Sequence, residues 1–169
     1  MKELISSGLE ALGLTGSVPP DAAEKLAEYG RLLLEKNQVM NLTAIRDEAG
    51  VARLHMLDCA ALLPCADLTG ARTLLDVGTG AGFPGLPLKI LLPQLDVTLL
   101  DSLNKRVDWL NEVSAQLGLT GVRAIQGRAE EKALEKSMRD SFDLVTARAV
   151  ADLRLLAELC LPFVKVGGH

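Results

Sequence analysis

Metal-ligating side chains are scarce in this chain. Only three cysteines occur, Cys59, Cys65 and Cys160, with only two histidines among 169 residues. The cysteine number is odd and no pair sits at C-x-x-C spacing, which argues against a zinc site. Free, buried thiols in a reducing cytosol are the expectation, and with them a cytoplasmic location. Long apolar runs are missing too. No stretch of 18 apolar residues occurs, so neither a membrane span nor a membrane partner is expected. Met1 to Leu14 carries Lys2, Glu3 and Glu10 among its apolar positions and reads as an amphipathic helix, not a signal peptide. Excess positive charge is absent as well. With 18 Lys and Arg against 22 Asp and Glu, the net charge is −4 and the pI about 5.2. A globally basic nucleic-acid binder is therefore not indicated. Residues 1–70 hold 6 basic and 10 acidic side chains, and residues 71–169 hold 12 of each. Any nucleic-acid contact has to use a local patch.

What is present is a large apolar fraction, 49%, enough for the core of one domain with a small extension. The first part reads as three helices. Leu4, Ile5, Leu9 and Leu12 fall at helical spacing before Gly13 and Gly16. Pro19-Pro20-Asp21 starts a second helix, with Asn37 to Thr43 as a polar loop after it. A third is expected from about Asp47 to Leu63, ending at Pro64. Residues 1–66 form this N-terminal helical appendage, and residues 67–169 form the core.

From Arg72 the rhythm changes to alternating strand and helix. Strands are predicted at Thr73–Val77, Val97–Leu100, Val122–Gln126 and Phe142–Thr146. Helices are predicted at Gly85–Leu92, Asn104–Leu117, Ala129–Met138 and Asp152–Leu159. Largely apolar strands separated by helices imply an α/β fold, a parallel sheet covered on both faces. Leu161 to His169 then reads as the approach to a further strand, so the sheet is expected to be C-terminally incomplete with an open edge.

The segment Asp76-Val77-Gly78-Thr79-Gly80-Ala81-Gly82-Phe83-Pro84-Gly85 carries the chemistry. An apolar strand runs into three alternating glycines and then a helix, a turn that lets backbone approach a ligand closely. A second strand ends in Asp101, 25 positions after Asp76, where a carboxylate reaches a ribose diol. A dinucleotide fingerprint needs a third glycine at position 83, which is Phe83, and no Gly-Lys-Ser/Thr follows to make a P-loop. G-x-G-x-G after a strand instead resembles motif I of class I S-adenosylmethionine (SAM) methyltransferases, a Rossmann-like fold. Gly78, Gly80 and Gly82 are expected to line the methionine part and ribose of SAM. The helix after them offers free N–H groups to the cofactor's carboxylate, with Pro84 in its first turn.

Several residues keep two readings. Phe83 either packs against the cofactor or plugs the core. Asp101 holds the ribose or caps the helix near Asn104, a task Ser102 also suits. Gly127-Arg128-Ala129-Glu130 meets the adenine, or is an exposed helix start that favours Glu130 and Glu131. Arg148 pairs with Asp76, contacts the cofactor carboxylate, holds phosphate, or is solvated. Arg46, Arg53, His55, Lys105, Arg106, Arg123 and Arg128 form a basic rim or are scattered charges. His55 and Asp58 form a local pair on one helix. After the fourth strand there is no N/D-P-P-Y/F motif, which argues against methylation of an exocyclic amine, and no cysteine for covalent C5-pyrimidine chemistry.

Six segments together resemble the bacterial small-subunit rRNA guanine-N7 methyltransferases, the glucose-inhibited division protein B family. They are Asn37–Arg46, Arg53–Cys59, Asp76–Gly85, Leu100–Arg106, Gly127–Glu131 and Thr146–Ala149, and the likeness covers about residues 30–169. Cys59 stands where the family usually has Ser. The resemblance implies methyl transfer from SAM to N7 of one guanine in 16S rRNA, by a monomer whose partner is that rRNA or the small ribosomal subunit. Carried over from family positions, Gly78, Phe83, Ala129, Glu130 and Arg148 contact SAM, and Asp101 joins them on the ribose argument. Guanine N7 has a free lone pair and no proton to lose, so no catalytic acid or base and no metal is named. The Asn41–Arg46 loop and the basic rim are expected to meet RNA. Competing readings are a SAM-binding ribosome-assembly or partner-binding module without catalysis, and a methyltransferase for a small molecule or protein. A nicotinamide oxidoreductase stands further back.

Overall fold

The computed structural model describes residues 1–68 and 70–169. Four parallel strands, β1 (Thr73–Val77), β2 (Asp96–Asp101), β3 (Val122–Gln126) and β4 (Leu144–Thr146), lie in the order β3-β2-β1-β4. The chain works outward from β1 through β2 to β3, then crosses back to place β4 on the other side of β1. Strand order thus reverses between β1 and β4, the position where α/β sheets open a crevice at the carboxyl ends of their strands.

Both faces of the sheet are covered, so β1 and β2 are buried almost throughout and their successive side chains enter opposite clusters. Leu74, Val97, Leu99 and Leu144 point into a large apolar cluster, whereas Leu75, Val77 and Leu100 point into a smaller one with Met138, Phe142 and Phe163. Asp76 shares Leu74's face and is the polar exception in the middle of β1, 0% exposed.

The large cluster is shared with the appendage. Its helices are α1 (Lys2–Ala11), α2 (Ala22–Met40), α3 (Glu48–Val51), a π-helical turn (Ala52–Leu57), α4 (Asp58–Ala60) and α5 (Leu62–Cys65). Ile5, Leu26, Tyr29, Leu33, Val51 and Met56 are fully buried against Leu86, Leu91 and Leu110 from α6 (Gly85–Leu91) and α7 (Asn104–Gln116). At about 25 cal/mol per Å² of apolar surface, six such side chains contribute on the order of 10 kcal/mol before conformational entropy is counted. The other face carries α8 (Ala129–Lys132) and α9 (Leu153–Cys160).

Several boundaries differ from the sequence reading. Asn37–Met40, expected to be loop, completes α2, and Asn41 ends it at a left-handed φ of 50°. The buried Asn37 amide then holds Thr43, donating to its carbonyl and accepting from its N–H, both at 2.9 Å. Pro64 does not end the third helix; it sits third in α5, where a missing N–H costs little. The helix expected to reach Met138 stops at Lys132, and tight turns drop Ala133 and Met138 into the smaller cluster. The fourth strand begins at Leu144 because Phe142 bridges Val164 instead. Among the thiols only Cys59 is buried, with burial pushing it up to about 12; Cys65 is exposed and Cys160 half-buried. On the free side of β4, Val145 N–H donates to His169 O and His169 N–H to Asp143 O, so His169 lies beside β4 in a parallel pairing. No helix among the described residues is long and apolar enough to cross a membrane.

Candidate active site

The turn after β1 is built around one buried carboxylate. Asp76 Oδ2 accepts from Thr79 Oγ1 at 2.6 Å and from Gly85 N at 3.0 Å, and its Oδ1 accepts from Thr146 Oγ1 at 2.9 Å. Burial pushes its carboxyl up to about 6, against the pull of those three donors. The N-terminus of α6 therefore already holds a carboxylate, that of Asp76, instead of standing open as the sequence reading expected. Pro84 precedes the helix rather than occupying its first turn.

Glycine is required through the turn for separate reasons. Gly78, Gly80 and Gly82 have φ of 64°, 58° and 100°, a region that Cβ disfavours. A Cβ on Gly82 would lie 2.6 Å from Tyr29 Oη and 2.8 Å from Leu86 Cδ1, so this glycine serves packing. A Cβ on Gly78 would strike Val150, which leans on the turn from the loop after β4. A Cβ on Gly80 would meet nothing nearer than Gly78 O at 3.9 Å. Tyr29 Oη donates to Ala81 O, so α2 grips the same turn from below.

Asp101 ends β2 and lines the cleft, 4% exposed. Its Oδ2 accepts from Gly80 N and its Oδ1 from Leu103 N, each at 2.9 Å, with Arg106 Nη1 at 3.6 Å from Oδ2. It thus ties the turn after β1 to the tip of β2, and each oxygen keeps a lone pair for a further donor. The helix cap position of α7 falls to Leu103, not to Asp101 or Ser102.

A cleft of about 400 Å³ opens over these strand ends, lined by Gly78, Asp101, Gly127, Ala129, Glu130 and Val150 among others. Four of the residues singled out from sequence, Gly78, Asp101, Ala129 and Glu130, are brought together there. The other four stand apart from its walls. Gly80 is bonded to Asp101, Gly82 faces Tyr29, and Phe83 is 4% exposed. Arg148 lies by a second, mostly apolar groove of about 460 Å³ beside Cys59, Pro84 and Thr146. Arg106 and Arg128 of the basic rim line the cleft, Arg123 instead bonds Thr98 Oγ1 at 3.0 Å, and Arg46, Arg53 and Lys105 are exposed.

Arg148 does not pair with Asp76. Its Nη1 bonds Asp58 Oδ2 at 3.0 Å and Leu54 O at 3.2 Å, and its Nη2 donates to His55 Nδ1 at 2.8 Å. The guanidinium also lies 5.0 Å from the Phe83 ring centroid. His55 stacks on Phe83 with centroids 4.4 Å apart and planes 13° from parallel. Burial, and then Arg148, push His55 down to about 4, so the imidazole is neutral at pH 7. Arg148 and Asp58 thus supply an ion pair across the appendage–core seam, where the sequence reading paired His55 with Asp58 within one helix. Sequence reasoning missed Tyr29, Thr79 and Thr146. A threonine between two glycines was a usable signal for Thr79; the other two depend on contacts between distant segments.

The residues present fit an adenosine-containing sulfonium cofactor. Gly78 of the glycine turn, a carboxylate with lone pairs at the tip of β2, and a backbone-rich corner at Gly127–Glu130 converge on one cleft. Fold and site together define a class I SAM-dependent methyltransferase. A solved SAM-dependent methyltransferase from Aquifex aeolicus superposes with a TM-score of 0.50 at 25% identity, over 68% of this chain and 62% of that one.

Sequence relatives narrow the class. The family profile of GidB, rRNA small subunit methyltransferase G, matches residues 22–169. The ribosomal RNA small subunit methyltransferase G of Alkaliphilus metalliredigens is 48% identical over 99% of this chain and 70% of its own length. The protein of that name from Clostridium perfringens is 43% identical over 99% and 69%. The chain belongs to the rRNA small subunit methyltransferase G family. The likeness extends to the first 30 residues as well, beyond the helical lead-in expected there.

Proposed function

We propose that this protein transfers the methyl group of SAM to N7 of a guanine in 16S rRNA, on the rRNA or the small ribosomal subunit. The observation that carries this reading is the state of Asp76, a carboxylate under the crevice at the β1–β4 reversal. It is fully buried and holds three donors, so it is a brace and not a base. A nucleophile that loses no proton suits such a site, and guanine N7 is one. Membership of the rRNA small subunit methyltransferase G family supports the RNA substrate.

When bound, SAM supplies an electrophilic methyl group. The chain's own part is to hold and orient. Gly78 and Gly80 leave room for the methionine portion, Asp101 takes the ribose hydroxyls, and Ala129 and Glu130 border the adenine. Gly82, Phe83 and Arg148 are assigned to the same cofactor site, Gly82 and Phe83 by fixing the end of the turn and Arg148 from the β4 side. Rate then comes from alignment and water exclusion, effects worth several kcal/mol when geometry is held tightly. The Asn41–Arg46 loop, with Arg53, Lys105, Arg106 and Arg128, forms the RNA-facing rim. The protein acts in the cytoplasm as a monomer.

The test is to incubate the chain with labelled SAM and unmodified small-subunit rRNA, digest the RNA and identify the labelled nucleoside by mass spectrometry. 7-Methylguanosine is the expected product. Label on another atom, or on protein when RNA is omitted, overturns the reading; SAM binding without any transfer favours a binding module.

A further inference from the structure

His55 touches the turn after β1, the loop after β4 and the Asn41–Arg46 loop at once. Its ring lies on Phe83, the residue that closes the glycine turn. Its Nδ1 meets Arg148 Nη2 at 2.8 Å, and its Nε2 meets Thr43 Oγ1, also at 2.8 Å. Arginine only donates, so Nδ1 accepts and the proton of the neutral ring sits on Nε2. Nε2–H then donates to Thr43 Oγ1, which also accepts from Ile45 N at 3.1 Å. The tautomer is therefore set by the partners: one nitrogen serves the core and the other serves the loop.

The placement matters because the strand order reverses between β1 and β4. Phe83 follows the turn after β1 and Arg148 lies in the loop after β4, the two loops that flank that reversal, and the reacting groups have to meet near the ends of those strands. His55 comes from the appendage, outside the sheet, and bridges both loops.

We propose that His55 is a positioning residue for methyl transfer: through Nδ1 it holds Arg148 over Phe83, and through Nε2–H it ties that arrangement to the Asn41–Arg46 loop. The proposal rests on the rRNA methyltransferase reading above and adds how RNA contact and cofactor geometry are joined.

The two nitrogens are separable by substitution. His55→Asn keeps an acceptor near the Nδ1 position and loses the reach to Thr43. His55→Gln reaches toward Thr43 and removes the acceptor for Arg148. The full chain carrying each change is compared with wild type for thermal midpoint, SAM affinity by calorimetry, and kcat and KM on small-subunit rRNA. His55→Asn is expected to raise KM for RNA several-fold with kcat within about twofold, whereas His55→Gln lowers kcat by about tenfold or more with KM little changed. His55→Phe, which keeps the stack and the volume, shows both defects while its midpoint stays close to wild type. If all three variants lose activity only in proportion to their thermal midpoints, His55 is structural and the proposal is overturned. Wild type that binds SAM but methylates no small-subunit rRNA defeats the underlying reading instead. SAM affinity then decides the positioning role: His55→Gln is to bind about fivefold or more weakly and His55→Asn like wild type, and equal affinities overturn it.

Discussion

Asp76 and Thr146 are register partners in the parallel pairing of β1 and β4, and the Thr146 hydroxyl donates to Asp76 Oδ1 at 2.9 Å. The bond spans the point where strand order reverses. Through its other oxygen the same carboxylate holds Thr79 and the first N–H of α6. One buried side chain thus sets the floor of the crevice, the glycine turn and the start of the helix behind it.

Replacing that carboxylate separates its charge from its shape. Asp76→Ala leaves Gly85 N–H and two hydroxyls without their acceptor in a site closed to water, at a cost of about 3 kcal/mol or more. Asp76→Asn keeps an acceptor for Thr79 and Gly85, and its amide donates to the Thr146 hydroxyl, which rotates to accept. Urea unfolding is expected to show a large loss for alanine and a smaller one for asparagine. Equal losses would mean that the charge, not the acceptor geometry, carries the brace.

Two glycines of one turn are expected to fail differently. Gly82→Ala drives a Cβ to within 2.6 Å of Tyr29 Oη and is strained at φ 100°, costing roughly 2 to 4 kcal/mol by overpacking and backbone strain. Gly80→Asp meets no atom nearer than 3.9 Å, so its folding cost is that of the left-handed φ of 58°, about 1 kcal/mol, but it sets a second carboxylate next to Asp101. Thermal unfolding and SAM calorimetry are to be run on both. Gly82→Ala lowers the midpoint strongly, whereas Gly80→Asp lowers it less and abolishes SAM binding. Unchanged affinity in Gly80→Asp refutes the cofactor assignment of this turn.

Tyr29 links the appendage to the turn. Its hydroxyl donates to Ala81 O, and its ring lies 5.3 Å from Phe83 and 6.4 Å from Trp109. Tyr29→Phe keeps the rings and strands a buried carbonyl, costing about 1 to 2 kcal/mol. A looser turn is also expected to weaken SAM binding more than a core substitution of equal cost, such as Ile5→Val in α1. Equal SAM affinities in the two variants would confine Tyr29 to packing.

Much of this was legible in the strand–turn–strand stretch. β1 and β3 begin and end where apolar runs and glycines place them, and the glycine turn and the spacing to Asp101 bring Gly78 and Asp101 to one cleft. Those signals are local. The partners of Arg148 were not legible, since Leu54, His55 and Asp58 lie more than 85 positions away and arrive only when the appendage docks. The same holds for Thr146 and Asp76, which meet through a register that no local pattern encodes. Where local and tertiary preferences conflicted, at Asn37 and at Ala133–Met138, burial decided the outcome.

The β1–β4 seam also carries two carboxylates of opposite pH sign. At its far end Asp143 accepts from Arg72 N and from Thr73 N and Oγ1, and pairs with Lys165 Nζ at 2.9 Å. Lys165 first, then the Arg72 and Thr73 amides, hold its carboxyl well below the usual carboxylate range. Its folded form prefers ionisation, so its contribution is complete above the ordinary value of 3.8 and is lost as pH falls below it. Asp76, pushed up to about 6 by burial, works the other way. Its contribution is complete below 3.8, declines as pH rises through about 6, and is constant beyond. Urea midpoints of wild type, Asp143→Asn and Asp76→Asn between pH 3 and 7.5 separate the two. The wild-type advantage over Asp143→Asn is expected to be level above about pH 5 and to begin shrinking as pH falls through 3.8 toward 3. Measured against Asp76→Asn, wild type is expected to lose ground between pH 4 and 6 and then run parallel. A difference between wild type and Asp76→Asn that stays flat from pH 4 to 7.5 would show that the three donors outweigh burial and hold Asp76 ionised throughout.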